Sequence, residues 1–194
     1  MGKLCCYTFL IVAFAFSQGC GKKDAYGRQV KTVDSLSGAL SAFVKELEKT
    51  DTLLLQRSVA RFNDYRKFVS LHIQDTILKT EADNLQHFYA GGRCLENFAG
   101  TRKTLLARAA LVNSQLTKLA QDIENRSAAP EALARFIEHE TKEAGHLMEA
   151  GYDQQRKFHA GFEEFKNSIH GVEILIRSRN RGELPTIIKD TVNL

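Results

Sequence analysis

The chain has 194 residues, 43% hydrophobic and 26% charged, which supports one folded domain with a real core and excludes a disordered chain. Its 27 basic and 23 acidic residues are interspersed, so the net charge of +4 describes a solvated surface and not the clustered Lys and Arg of a nucleic-acid footprint. Proline occurs only at Pro130 and Pro185, and the long proline-free runs permit long helices.

The first segment reads as an export signal. Met1 to Cys6 is short and basic through Lys3, and Tyr7 to Phe16 is an apolar run of ten residues. A membrane-crossing helix needs about 20 apolar residues, whereas ten is the size of a signal-peptide apolar region. Ser17-Gln18-Gly19-Cys20 follows, with small residues before a cysteine. This resembles the lipobox of bacterial lipoproteins, with Gly19 and Cys20 in place and Ser17 where a leucine is usual, a relaxed match that covers residues 1–20 only.

The resemblance implies that residues 1–19 are removed, that Cys20 receives a diacylglycerol and that its new amine is acylated. A conventional secretory signal cut nearby is the alternative. Gly21 in place of Asp implies sorting to the outer membrane. Lys22 and Lys23 stand where an acidic run would favour the cell surface, so the periplasmic face is expected. Residues 20–31 are polar, contain glycine and lack a hydrophobic period, as a flexible tether would. With Cys5 and Cys6 lost with the signal and Cys20 lipidated, only Cys94 remains, so no internal disulfide is expected. Cys94 reads as a small buried hydrophobe and not as a reactive thiol.

Residues 32–182 read as a bundle of three amphipathic helices. The first is expected from about Val33 to Ile73, with Val33, Leu36, Leu40, Val44, Leu47, Asp51, Leu54, Ser58, Phe62, Tyr65, Val69 and Ile73 on one face. The second is expected after Thr80, where Thr80 and Asp83 have capping-box spacing. Its stripe of Phe88, Gly91, Leu95, Phe98, Arg102, Leu105, Ala109, Val112, Leu116, Leu119 and Ile123 keeps a seven-residue repeat, the pattern of a supercoiled pair. Gly91-Gly92 reads either as a kink or as the turn between the first two helices.

The third starts at Pro130, which suits a first helical turn. Its stripe is Leu133, Ile137, Glu140, Ala144, Leu147, Gly151, Gln155, Phe158, Phe162, Phe165, Ile169, Val172 and Ile176. Arg177, Arg179 and Arg181 favour the negative helix end, Gly182 can take a left-handed cap and Pro185 prevents continuation. Residues 183–194 are left as a tail. Three such helices joined by short turns run up, down and up, giving an all-α, elongated, antiparallel three-helix bundle with coiled-coil character. The alternative is a four-helix bundle, broken near Thr50-Asp51-Thr52 or at Gly91-Gly92.

Two polar constellations stand out. Glu138, His139, Glu140, Glu143 and His146 include a Glu-x-x-His spacing, seen in di-iron bundles. His139, Glu143 and His146 lie roughly 80–140° from the stripe centre at 100° per residue, and the second helix offers only His87 without a matching pair, so a solvated face with no metal is expected. Arg102, Asp51, Ser58 and Gln155 interrupt the apolar stripes at comparable heights, and are expected to form a polar core layer that fixes register. A small-ligand site at that layer is the functional alternative.

Phe158, Phe162 and Phe165 read as core and not as a ligand box. Gly145, Gly151, Gly161 and Gly171 share no face. No haem-attachment, zinc-protease, P-loop or nucleophile-elbow motif occurs, so no cofactor and no enzymatic activity are expected. The chain is read as a membrane-tethered envelope protein with an interaction or scaffolding role. It would engage the membrane through its lipid, and a protein partner, but no nucleic acid. The alternative is a periplasmic small-molecule or metal-binding module.

Overall fold

The computed structural model describes residues 25–185, so the expected signal, Cys20, the first part of the tether and residues 186–194 lie outside the described residues. The described chain is all-α, with four helices: α1 (Ala25–Glu48), α2 (Thr52–His72), α3 (Lys79–Glu124) and α4 (Pro130–Arg179). At 1.5 Å per residue the 50 residues of α4 span about 75 Å.

The helix expected over 33–73 is two helices. The chain leaves α1 after Glu48, and Asp51 takes an extended conformation (φ −64°, ψ 99°). Its carboxylate accepts from the Leu54 N–H at 2.9 Å, an N-cap for α2. Asp51 is therefore an exposed helix start and not a buried member of a continuous stripe. The break also resets the phase, so that Leu55 is buried while Leu54 is 47% exposed. The four-helix alternative, broken at Thr50-Asp51-Thr52, is the arrangement present, whereas Gly91-Gly92 lies inside an uninterrupted α3.

α1 begins earlier than the sequence suggests, and residues 25–31 are helical instead of tether. Tyr26 donates its hydroxyl to the Ala128 carbonyl at 3.2 Å, and Gln29 Nε2 donates to the Pro130 carbonyl at 2.7 Å. These bonds tie the start of α1 to the turn between α3 and α4. The α3 start also differs in detail. Glu81, not Asp83, supplies the carboxylate, accepting from the Leu78 N–H at 2.7 Å.

The two long helices form the spine, packed antiparallel through Leu85, Phe88, Leu95, Phe98, Leu105 and onward on α3. Every member of the expected α3 stripe is buried except half-buried Arg102. α1 packs on both spine helices near the α3–α4 turn, and α2 packs on them farther along. Pro130 opens α4 as expected. At its far end Gly182 has φ +87°, and its N–H donates to the Arg177 carbonyl at 2.9 Å. Arg181, with φ 51°, shares the left-handed turn that the sequence assigned to glycine alone.

Five glycines mark where the helices meet most closely; one of them, Gly171 on α4, receives the Asn84 side chain from α3. A Cβ on Gly91 would lie 2.5 Å from the Gly161 carbonyl oxygen and 2.6 Å from the Phe165 nitrogen, so α3 and α4 touch backbone to backbone there. Gly92 receives the ring of Phe62 from α2, and Gly151 receives that of Phe43 from α1. Gly161 receives Cys94, which is half-buried. These glycines need share no helix face, because each accommodates a different neighbour.

Candidate docking groove

The α2 helix is held to the spine by an aromatic cluster. Phe62 lies 5.1 Å from Phe88 and 6.4 Å from Phe165 between ring centroids, and Phe88 stacks on Phe165 at 5.4 Å. The offset and edge-on geometries suit the ring quadrupoles. Because Phe62 sinks onto Gly92, α2 sits closer to α3 than to α4, and the solvent side of the α2–α4 seam stays open.

One hydrogen bond closes this seam at its lower end. The Tyr65 hydroxyl donates to Glu173 Oε1 at 2.8 Å, linking α2 to α4. Burial, followed by this bond and the nearby carboxylate charge, pushes the Tyr65 hydroxyl above the usual tyrosine range. The partners are 108 residues apart on helices that run in the same direction. The same offset places Leu54 opposite Phe162, Ser58 opposite Lys166 and Arg61 opposite Ile169. Between these rows lies a groove of about 400 Å³, with Phe165 in its floor. Its lining is apolar in the middle and cationic on both walls, through Arg61 and Lys166.

The polar residues singled out in the sequence are distributed differently from the expected layer. Arg102 Nε donates to the Leu47 carbonyl at 2.9 Å, where α1 ends. Asp51 is engaged as the α2 cap, and no hydrogen bond or ion pair joins it to Arg102 among the described residues. Gln155 is half-buried, one turn beyond the Gly151 that faces Phe43, which sets it level with Leu47. Ser58 is buried in α2 and lines the groove, away from Arg102. His139 and His146 are exposed on α4 and Glu143 is half-buried. No group of three or more potential metal ligands comes together among the described residues.

The groove was not legible as a site. Phe162 and Ile169 belong to the expected α4 stripe, but they are only half-buried. The signal available was the run Leu53-Leu54-Leu55 after an Asp, an N-cap followed by more apolar residues than one core face can bury. Leu53 and Leu54 are 54% and 47% exposed.

No protein-family model, no curated protein and no solved structure matches the chain.

Proposed function

We propose that this protein is a lipid-tethered interaction module of the bacterial envelope, without catalytic activity, facing the periplasm from the outer membrane. Its scaffold is a three-column antiparallel bundle with coiled-coil packing, in which α1 and α2 share one column. The observation that carries the interaction reading is the open α2–α4 groove. An apolar lining that the fold leaves uncovered, beside two exposed leucines, is what a docking surface requires. The tether rests on the sequence around Cys20, and no described helix is long and apolar enough to cross a membrane.

Two measurements on the full chain in bacterial cells test this reading. A clickable fatty acid is expected to label the wild type and to miss Cys20→Ala; equal labelling of both removes the lipid tether. A photo-crosslinking residue at position 54 is expected to give one discrete protein adduct that the same residue at position 111, exposed on α3, does not give. Identical adduct patterns at the two positions remove the groove from the interaction.

A further inference from the structure

We infer that the occupant of the α2–α4 groove is a single amphipathic helix with acidic flanks, which fills the open seam as an additional helix. The inference rests on the docking role proposed above and adds the chemistry of the partner. The groove follows two helical turns of each wall, from Leu54 to Arg61 and from Phe162 to Ile169. At 1.5 Å per residue each wall offers about 10 Å, the length over which a docked helix presents side chains at i, i+3 or i+4, and i+7.

The seam is open along its solvent side. Small-molecule sites bury about 70–90% of a ligand's surface, and an open trough cannot do so. A helix needs only one face covered, and its remaining polar faces stay in water.

Charge selects the kind of helix. Arg61 forms no ion pair among the described residues. Lys166 has only Glu163 on its own helix at 3.5 Å, with both side chains more than 60% exposed, a pair of little worth. Glu173 keeps its charge at the closed end, where it accepts from Tyr65, beyond the stretch of α4 from Phe162 to Ile169 that lines the groove. Arg66 on α2 is paired with Glu96 of α3 at 3.3 Å, which leaves Arg57, Arg61 and Lys67 against one α2 carboxylate, Asp64. The field of α2 therefore attracts an acidic segment and repels a basic one.

The test uses the full chain purified in detergent and two fluorescent synthetic helices of about five turns. Both have leucine at i, i+3, i+4 and i+7; one has Glu at the flanking positions and its twin has Lys. The acidic helix is expected to bind about tenfold tighter than the twin, the scale of two partly exposed ion pairs. Added salt should narrow the difference. The exposed substitution Leu54→Ser should weaken binding of the acidic helix, and Arg61→Glu with Lys166→Glu should reverse the preference while circular dichroism stays unchanged.

Equal binding of both helices, still sensitive to Leu54→Ser, overturns the acidic partner and leaves the docking role standing. No binding of either helix, with anionic phospholipid vesicles bound by the wild type and not by the Arg61→Glu, Lys166→Glu chain, overturns the inference in favour of a membrane surface. Self-association removed by Leu54→Ser overturns it in favour of a second copy. Absence of binding in every arm overturns it outright, while the crosslinking comparison at positions 54 and 111 still reports on the docking role separately.

Discussion

The Arg102 side chain closes the end of the helix that carries Leu47: its Nε donates to the Leu47 carbonyl oxygen at 2.9 Å. The last carbonyls of a helix lack i+4 partners, and here only the Thr50 N–H reaches the Leu47 oxygen from the chain's own turn, at 3.4 Å; a cation beside them also meets the negative end of the helix dipole. Leu47 is fully buried, so water is a poor substitute partner for its carbonyl. Arg102 thus stands in an apolar stripe because it lies level with a helix end.

This arrangement sets a double-mutant cycle. Arg102→Leu leaves the Leu47 carbonyl with only the long bond from the Thr50 N–H at 3.4 Å and is expected to cost about 1 kcal/mol. Asp51→Ala removes the α2 cap and is expected to cost about 1 kcal/mol. Since the two side chains serve different helices, their effects should add to within about 0.5 kcal/mol in denaturant melts. A coupling of 3 kcal/mol or more, the scale of a broken buried ion pair, would restore a direct Asp51–Arg102 contact.

The long helices were legible because their signals are local. The α3 stripe from Phe88 to Ile123, the opening of α4 at Pro130 and its end at Arg179 follow from periodicity and caps within one segment. The break at Asp51 was legible only as the alternative, because an Asp in an apolar stripe reads equally as a polar core residue and as an N-cap. Phe43, fully buried with its ring on Gly151, was missed for another reason: the expected stripe took its neighbour Val44, which is only half-buried. The groove was invisible for a different reason. It arises from how far α2 leans toward α3, which depends on Phe62 finding Gly92 thirty residues away.

The helical glycines separate into two sets with opposite expected behaviour, those under a neighbouring helix and those facing open space. Gly91→Ala puts a methyl into the Gly161 carbonyl and the Phe165 backbone, which no rotamer change can relieve. It should destabilise the bundle by about 1–3 kcal/mol, the range for overpacking. Gly100 and Gly145 sit in helices with nothing within 4 Å of an added Cβ. Alanine there should stabilise by about 0.5–1 kcal/mol through helix propensity alone. Thermal melts of the three variants check the contrast, and a stabilising Gly91→Ala would contradict the close approach of α3 and α4.

The α4 face with His139, Glu143 and His146 is expected to hold no structural metal. Its two histidines are exposed, and a transition-metal site needs ligands converging from more than one direction. Chelator should leave the melting temperature unchanged, and the purified chain should carry no stoichiometric transition metal. A clear drop in melting temperature with chelator would locate a site missing from this account.

The bond between Tyr65 and Glu173 makes an alkaline limit to stability. Burial first, then the hydrogen bond and charge of Glu173, raise the Tyr65 hydroxyl above its ordinary value of 10.0. The folded state therefore holds this proton more tightly than the unfolded chain does. The resulting stability is fully present below pH 10, and it is lost as pH rises from there through the raised folded value. Tyr89 and Tyr152 shift in the same direction, chiefly through burial, and add to the effect. The melting temperature should accordingly show no pH dependence from these groups near neutrality and should fall above about pH 10. Tyr65→Phe removes one hydrogen bond, with an expected cost of about 1 kcal/mol at neutral pH. The same substitution should flatten the alkaline fall, because the group that titrates is gone. In ultraviolet titration of the folded chain, the wild type should ionise one more tyrosine late than Tyr65→Phe does. If the variant loses stability above pH 10 as steeply as the wild type, the hydroxyl is not held by Glu173 and the lower end of the groove is not closed as described.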